Sequence, residues 1–345
     1  MRIVYGVSGE GSGHAARSRE VLRHLRARGH DLWVVSYGRG CRELGGEFRV
    51  FETEGLHFAT ADNRVSKVRT VWENLAQVPE GRRRLQALAS EVFEGWRPEA
   101  ALADFEPMTA HLARRYGLPL ITVDNQHLLR YVGHPVPRRL AGEAALARAV
   151  VRAIIPRPDA ALVTTFYFGR VRNARALLFP PILPRDVREA EPASGDHVLV
   201  YLTRGSASAL ARLAELRRER FVVYGAGRTG EEGNLGFRPP SREGFLSDLV
   251  SCKAVVATAG FTLLGEALHL GKPYLALPMK GPFEQELNAF LLDETGLGRN
   301  GRRLTPEVLG DFLYRLPEYR ERLAAYPRSD NRALLARLEA LLSGA

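Results

Sequence analysis

"AVVATAGFTLLGEALHLGKPYLALPM", residues 254–279, holds the pattern on which the fold turns. "AVVA" reads as a buried strand and "TAG" as a tight turn. Thr262–Leu270 reads as a helix that Gly271 stops before a second strand, "PYLALP". Gly260 stands where that helix would begin. The first N–H groups of a helix lack partners within it and lie at the positive end of its dipole, so such a turn suits an anion, a diphosphate in particular. Glycine lets a ligand approach the backbone, and Thr262 offers a hydroxyl. Glu266, one turn on, opposes a phosphate but can accept two hydrogen bonds from a ribose diol. A turn of this kind also serves packing alone in many α/β proteins, so the wider pattern decides.

Outward from this stretch the alternation recurs. "HVLVYL" (197–202) and "RFVVYG" (220–225) precede it, with helical patterns between. The first half repeats the rhythm: "RIVYGV" (2–7), the helical "ARSREVLRHLRARG" (16–29) closed by Gly29, then "DLWVVSY" (31–37) and a weaker "FRVFETEG" (48–55). "AALADF", the helical "PMTAHLARRYG", "PLITVD" and "AALVTTFY" follow. Short apolar runs reached through helices indicate parallel sheets covered on both faces, the α/β doubly wound plan. A proline-rich stretch, "FPPILPRDVREAEPASGD" (179–196), reads as a hinge between two such units. We therefore expect an N-terminal domain over 1–184, a C-terminal domain over 195–325, and a helical 326–345 that packs back on the N-terminal domain.

The 345 residues suffice for two cores, and 45% hydrophobic with 26% charged residues is ordinary globular composition. A formal net charge of +10 suits acidic partners such as phosphorylated small molecules, an anionic membrane surface or nucleic acid, and also simple solubility. Two distant cysteines, Cys41 and Cys252, make no disulfide framework or metal spacing, which favours a cytoplasmic setting. The chain enters a strand pattern at once, leaving no room for a signal peptide, and no apolar run approaches the roughly 18–20 residues of a spanning helix. Aromatic-interleaved basic patches, RNA-binding motifs and zinc spacings are absent, so nucleic acid is not expected as a partner. In "PVPRRLAGEAALARAVVRAIIPRP" (135–158) arginines flank an apolar stripe, which suits either a membrane surface or an ordinary buried helix.

After Pro278 comes "FEQELNA" (283–289). The order AG–x4–GEALxLGKPxLxLP…EQxxNA resembles the nucleotide-sugar signature of GT-B glycosyltransferases. Within them it is most similar to the MurG-type, UDP-glycosyltransferase-like branch and its bacterial and archaeal relatives. That resemblance implies two Rossmann-like domains facing a central cleft. It places the donor diphosphate on Gly260, Phe261 and Thr262, the ribose on Glu266, and the sugar hydroxyls on Glu284 and Gln285, with Asn288 beside them. "YLTRGSA" resembles the first C-terminal loop of the family, so Thr203, Arg204, Gly205 and Ser206 would line the cleft, Arg204 near the diphosphate. "NLGFRPPSREGFLSDLVSCKAVVATAG" is similar to the base-reading segment, which would set Phe237 and Arg238 beside the nucleobase, through backbone groups as much as side chains. Phe261 and "KGPF" depart from the branch's alanine and histidine-bearing segment and leave sugar and base open.

"GVSGEGSGHAARSRE" (6–20) resembles the N-terminal glycine-rich loop of the same enzymes, with Gly11, Ser12 and Gly13 on the donor side and His14 at the first helix. A dinucleotide fingerprint is the rival reading, but "DLWVVSYG" ends without an acidic residue to hold an adenine ribose. Inverting transfer needs a base, and imidazole titrates near neutrality and is commonly oriented by a carboxylate. His14 is thus the expected base and Asp104, at the end of "AALAD", its orienter, while Asp104 as a helix cap and His14 as a helix-end hydrogen-bonder stay open. Glu106 and "DNQH", with Asp124, Asn125 and His127, are placed on the acceptor side, His127 being the rival base.

No DxD-type carboxylate pair stands where a GT-A enzyme holds manganese. The expected reaction is an inverting transfer, with neither cofactor nor metal, from a nucleoside-diphosphate sugar, UDP-linked, to a hydroxyl acceptor. A lipid-linked precursor at the inner membrane face is the acceptor considered. A nucleotide-sugar 2-epimerase of the same fold and a non-catalytic nucleotide- or nucleic-acid-binding protein remain as alternatives.

Overall fold

A computed structural model describes residues 1–54, 60, 61, 64, 65, 78–202, 207–279, 281–302 and 304–344. The strands in chain order are β1 Arg2–Val7, β2 Asp31–Ser36, β3 Val50–Glu52, the small pair β4 Thr60–Ala61 and β5 Arg64–Val65, β6 Ala100–Asp104, β7 Leu120–Asp124, β8 Ala160–Thr164 and β9 Ala176–Phe179. They continue as β10 His197–Tyr201, β11 Arg220–Tyr224, β12 Gly230–Glu232, β13 Leu235–Phe237, β14 Ala254–Ala257, β15 Tyr274–Ala276 and β16 Gly298–Asn300.

The strands build two seven-stranded sheets, ordered β3-β2-β1-β6-β7-β8-β9 and β12-β13-β11-β10-β14-β15-β16. Within these two sheets every described pairing is parallel except β12 with β13. Counted along the chain, the parallel strands of each sheet run outward in both directions from a first central strand, the doubly wound order. In such sheets ligands bind beyond the strands' carboxyl ends where the order reverses. The reversals fall between β1 and β6 and between β10 and β14.

The first compact unit comprises Met1–Ala61, Val65–Pro184 and Asp330–Ala345. Successive residues of β1 face opposite sides of its sheet. Ile3, Tyr5 and Val7 join Leu22 and Leu25 of the Gly13–Ala27 helix, together with Leu334, Leu338 and Leu342 of the Arg332–Leu342 helix. Val4 joins Ala101, Ala103, Ala110, Leu112 and Val92 on the other face. Burial on both faces is why these strands read as unbroken apolar runs. The C-terminal helix is pinned at its polar edge by Glu339, which meets His24 at 3.1 Å and His30 at 3.2 Å. At its entry, buried Asn331 takes a left-handed φ of 63° and its amide bonds both the N–H and the C=O of Leu183.

The main body of the second unit is Arg185–Ser329. Its core sets Val198, Val200, Phe221, Val223, Val256 and Leu275 against Leu309, Phe312, Leu316 and Tyr319. The unit begins at Arg185 rather than 195, because Asp186 of the short Arg185–Arg188 helix is tied to Arg242 by two 3.1 Å hydrogen bonds. Only from Asp330, not 326, does the chain group with the first unit again. The stretch at 179–196 is not all hinge, since Phe179 closes the strand β9.

Candidate active site

Beyond the carboxyl end of β1, the loop at residues 8–12 leads into the Gly13–Ala27 helix. Its glycines do different work. A Cβ on Gly6 would lie 2.5 Å from Glu106 Oε2, and one on Gly9 would lie 1.9 Å from the Tyr37 carbonyl oxygen, so both permit close packing. Gly11 turns the chain with φ +74° and faces open space. Ser12 caps the helix without a side-chain hydrogen bond, and Gly13 is its first residue.

His14 and Asp104 meet across the β1–β6 reversal, His14 Nδ1 lying 2.8 Å from Asp104 Oδ1. Asp104 ends β6, its Cα registered with Val7 of β1, and its carbonyl accepts from the N–H of Ser8. The carboxylate is fully buried and collects more than the imidazole. Arg17 Nε donates to Oδ2 at 2.7 Å and Nη2 to Oδ1, while Ser18 Oγ donates to Oδ2 at 3.1 Å. Arg17 Nη1 donates to Asn125 Oδ1 at 2.8 Å, and Nη2 lies 2.9 Å from His14 Nδ1. Burial by itself pushes Asp104 up, but the Arg17 charge, His14 and their hydrogen bonds overcome it and hold the carboxyl well below the ordinary range. With Asp104 ionised, a proton on His14 Nδ1 would be donated to Oδ1 and leave the imidazole lone pair on Nε2, whereas a lone pair on Nδ1 would accept from Arg17 Nη2.

Arg17 was not anticipated. Its signal was available: residues three and four apart share a helix face, so His14, Arg17 and Ser18 form one patch over the strand end.

Glu106 does not line an acceptor site. Its side chain is fully buried and caps the Pro107–Arg115 helix, accepting from the N–H groups of Met108 and Thr109 at 2.8 Å each. It is Glu106, rather than Asp104, that does the capping. Asp124 and His127 are also fully buried and bonded to each other, His127 Nδ1 lying 2.7 Å from Asp124 Oδ2, with the His127 N–H donating to Oδ1 at 2.9 Å. The His127 ring stacks on Tyr131 at 5.3 Å, which places this rival base in the interior, while Asn125 is engaged by Arg17.

In the second unit, the turn after β14 places Gly260 as the N-cap of the Phe261–His269 helix, with no side-chain cap. A Cβ on Gly260 would meet nothing within 4 Å, so the space before this helix end is open. Its φ of −70° is ordinary, and openness rather than backbone strain is what the glycine supplies. The turn is braced from behind: Asn288 Nδ2 donates to Ala259 O at 3.0 Å and Tyr274 OH to Thr258 O at 2.6 Å. Asn288, expected beside the sugar hydroxyls, thus braces the turn through its Nδ2. Gln285 Oε1 accepts from the Met279 N–H at 3.1 Å, and Glu284 is exposed on the first turn of the Phe283–Thr295 helix. Phe261 and Thr262 are half-buried in the first turn behind Gly260.

Glu266 is buried and pairs with Arg242 at 3.2 Å, a partner 24 residues away with no sequence signal. Burial raises the Glu266 carboxyl, and Arg242 only partly offsets this. The Phe237 ring is 1% exposed in the core, with the Arg228 guanidinium 4.0 Å above it, which leaves its backbone as the part able to meet a base. Arg238 pairs with Glu231 at 2.9 Å. Thr203, Arg204, Gly205 and Ser206 lie outside the described residues. Among the described residues, no group of three or more His, Cys, Asp or Glu side chains is placed to hold a metal ion, and no helix is long and apolar enough to cross a membrane.

Residues 1–317 match the family described as glycosyl transferase family 1. An uncharacterized glycosyltransferase of Methanosarcina mazei is 23% identical over 91% of this chain and 92% of its own. The UDP-N-acetylglucosamine–N-acetylmuramyl-(pentapeptide) pyrophosphoryl-undecaprenol N-acetylglucosamine transferase of Brucella suis is 24% identical over 99% of this chain and 94% of its own. Among solved structures, the glycotransferase of kitacinnamycin superposes with a TM-score of 0.71 at 19% identity, covering 99% of this chain and 98% of that one. A calicheamicin glycosyltransferase gives 0.71 at 16% identity, with the same coverage.

Proposed function

The chain belongs to glycosyl transferase family 1 and has the GT-B fold, and on that premise we propose an inverting, metal-independent transfer from a UDP-linked sugar to a hydroxyl acceptor. The observation that carries the chemistry is His14 held by its Nδ1 against an ionised, buried Asp104. His14 Nε2 takes the acceptor proton as the acceptor oxygen bonds the anomeric carbon, and the bond from that carbon to the diphosphate oxygen breaks on the opposite face. Asp104 keeps the ring in the tautomer that can accept, and offsets the imidazolium charge that forms. The second unit offers the leaving diphosphate the N-terminal end of the Phe261–His269 helix at Gly260, where open space and the helix dipole stabilise its negative charge without a cation.

The uracil assignment draws on the donor in the name of the Brucella suis relative, and the family motif beginning at Gly260 is its link to this chain. The same name supports a pyrophosphoryl-polyprenol as the kind of acceptor. The Ala141–Ile154 helix fits contact with the membrane surface that bears such a molecule: Leu146 and Val150, four residues apart, are 56% and 37% exposed, and Arg148 and Arg152 are exposed beside them.

A thermal-shift panel of UDP, dTDP, GDP and CDP, each with and without magnesium, tests the donor reading, because a ligand that binds the folded state raises its apparent stability. A shift with UDP that is indifferent to magnesium is expected. A preference for another base would overturn the uracil assignment, and a strict magnesium requirement would overturn the metal-free mechanism.

A further inference from the structure

The second unit carries a basic cavity at the end of its sheet opposite to Gly260. It measures about 300 Å³, and its lining includes Lys253, Lys272, Arg320 and Arg328 but no aspartate or glutamate. Lys253 immediately precedes β14 and Lys272 stands two residues before β15, whereas Gly260 follows the carboxyl end of β14. The cavity is therefore at the amino edge of the strands, separated from the proposed diphosphate turn by the length of β14, roughly 13 Å at 3.3 Å per residue.

Lys272 is the unusual member. Its side chain is 4% exposed, and its ammonium donates to two backbone carbonyls, Cys252 O at 2.9 Å and Ala193 O. Carbonyl dipoles satisfy N–H donors but do not neutralise a buried charge. Burial, joined by the like charge of Arg320, makes that charge harder to keep. Lys253 is matched by Glu219, but Arg320 spends its Nη2 on Ser194 Oγ and Lys253 O, both neutral acceptors. Among the described residues, the cavity thus gathers more positive charge than acidic side chains offset.

We propose that this cavity binds a phosphoryl anion, a free phosphate or diphosphate or the phosphate of an anionic headgroup, at a site separate from the sugar donor. Charge-assisted hydrogen bonds from Arg320 and Arg328 grip the oxygens, and the anion supplies Lys272 with its missing counter-charge. Occupancy stabilises the amino edge of the sheet whose carboxyl edge carries Gly260.

The test is titration of the full chain with inorganic diphosphate at constant ionic strength, for the wild type and the double variant Arg320→Gln/Arg328→Gln. Both arginines are exposed, so the variant keeps the fold, and UDP binding serves as the control. Diphosphate affinity should fall about tenfold per arginine removed, with the UDP shift unchanged. Flotation with phosphatidylglycerol or phosphatidylcholine vesicles separates the sources. Capture by the anionic vesicles alone, lost in the variant, assigns a headgroup, whereas a diphosphate response without capture assigns a free anion. If wild type and variant respond alike to both probes, or neither responds to either, the site does not exist.

Discussion

Arg17 grips Asp104 at both carboxylate oxygens, Nε on Oδ2 at 2.7 Å and Nη2 on Oδ1, with the two side chains only 7% and 0% exposed. The pair makes Asp104 a fixed anion. Removing one partner of a buried pair leaves an uncompensated charge, so Arg17→Met should cost about 3–5 kcal/mol, more than Asp104 could recover from His14 and Ser18. Denaturant midpoints for the two proteins check this. The folded-state pKa of Asp104 is lowered, so its contribution to stability is complete above the ordinary carboxylate range and is lost only as the pH falls through the depressed value. Wild-type stability near neutrality should accordingly be insensitive to this group.

His14→Ala should lower turnover by about 10²–10⁴-fold while leaving UDP affinity within a factor of two or so, the signature of a lost proton acceptor rather than a lost binding contact. His127→Ala provides the contrast. That ring is fully buried, bonded to Asp124 and stacked on Tyr131, so its loss should act through the fold and lower the melting temperature. Unchanged turnover in the His14 variant would remove it from the mechanism.

Two glycines should respond in opposite ways to alanine. At Gly9 the added methyl would sit 1.9 Å from the Tyr37 carbonyl oxygen, so the backbone must move and stability should drop by about 1–3 kcal/mol. At Gly260 the methyl enters open space with an ordinary φ, so stability should stay within about 0.5 kcal/mol while nucleotide affinity falls, because the proposed donor site puts the diphosphate in that space. Melting curves with and without UDP for both variants distinguish a packing glycine from a ligand glycine.

The strands were readable because parallel sheets bury both faces and leave continuous apolar runs. Ala176–Phe179 escaped because it is four residues long and runs directly into Pro180 and Pro181, which look like linker. His14 was chosen at the entrance of the first helix and Asp104 at a strand's carboxyl end, both with the support of the family resemblance, and their contact follows from the sheet order. Arg17 was passed over among Arg19, Arg23 and Arg26, although those three share one solvated helix face and Arg17 falls on the opposite one, with His14 and Ser18. Glu106 could have been recognised, since an acidic residue directly before a proline at the first helical position is a capping pattern. Arg242 could not, because its partners Asp186 and Glu266 are brought to it only by the tertiary fold.

Glu266 offers a test in which stability and binding should part company. Burial raises its carboxyl pKa, with Arg242 offsetting only part of the rise, so the folded state disfavours the ionised form. For a group raised in this way, stability is greatest below the unfolded value near 4.3 and declines as the pH rises through the folded value. At neutral pH the ionised Glu266 therefore costs stability, while Arg242 keeps Asp186 as a second partner. Glu266→Gln should be as stable as the wild type at pH 7 or more so, by up to about 1 kcal/mol, and should lack this component of the pH dependence. If the carboxylate holds the donor ribose, the same variant should bind UDP about tenfold less tightly, because a neutral amide forgoes the charge-assisted bonds. Denaturation midpoints from pH 5 to 8 and UDP titrations measure the two effects independently. A variant that loses stability at pH 7 would make the Arg242 pair structural, and one that binds UDP normally would take Glu266 out of the donor site.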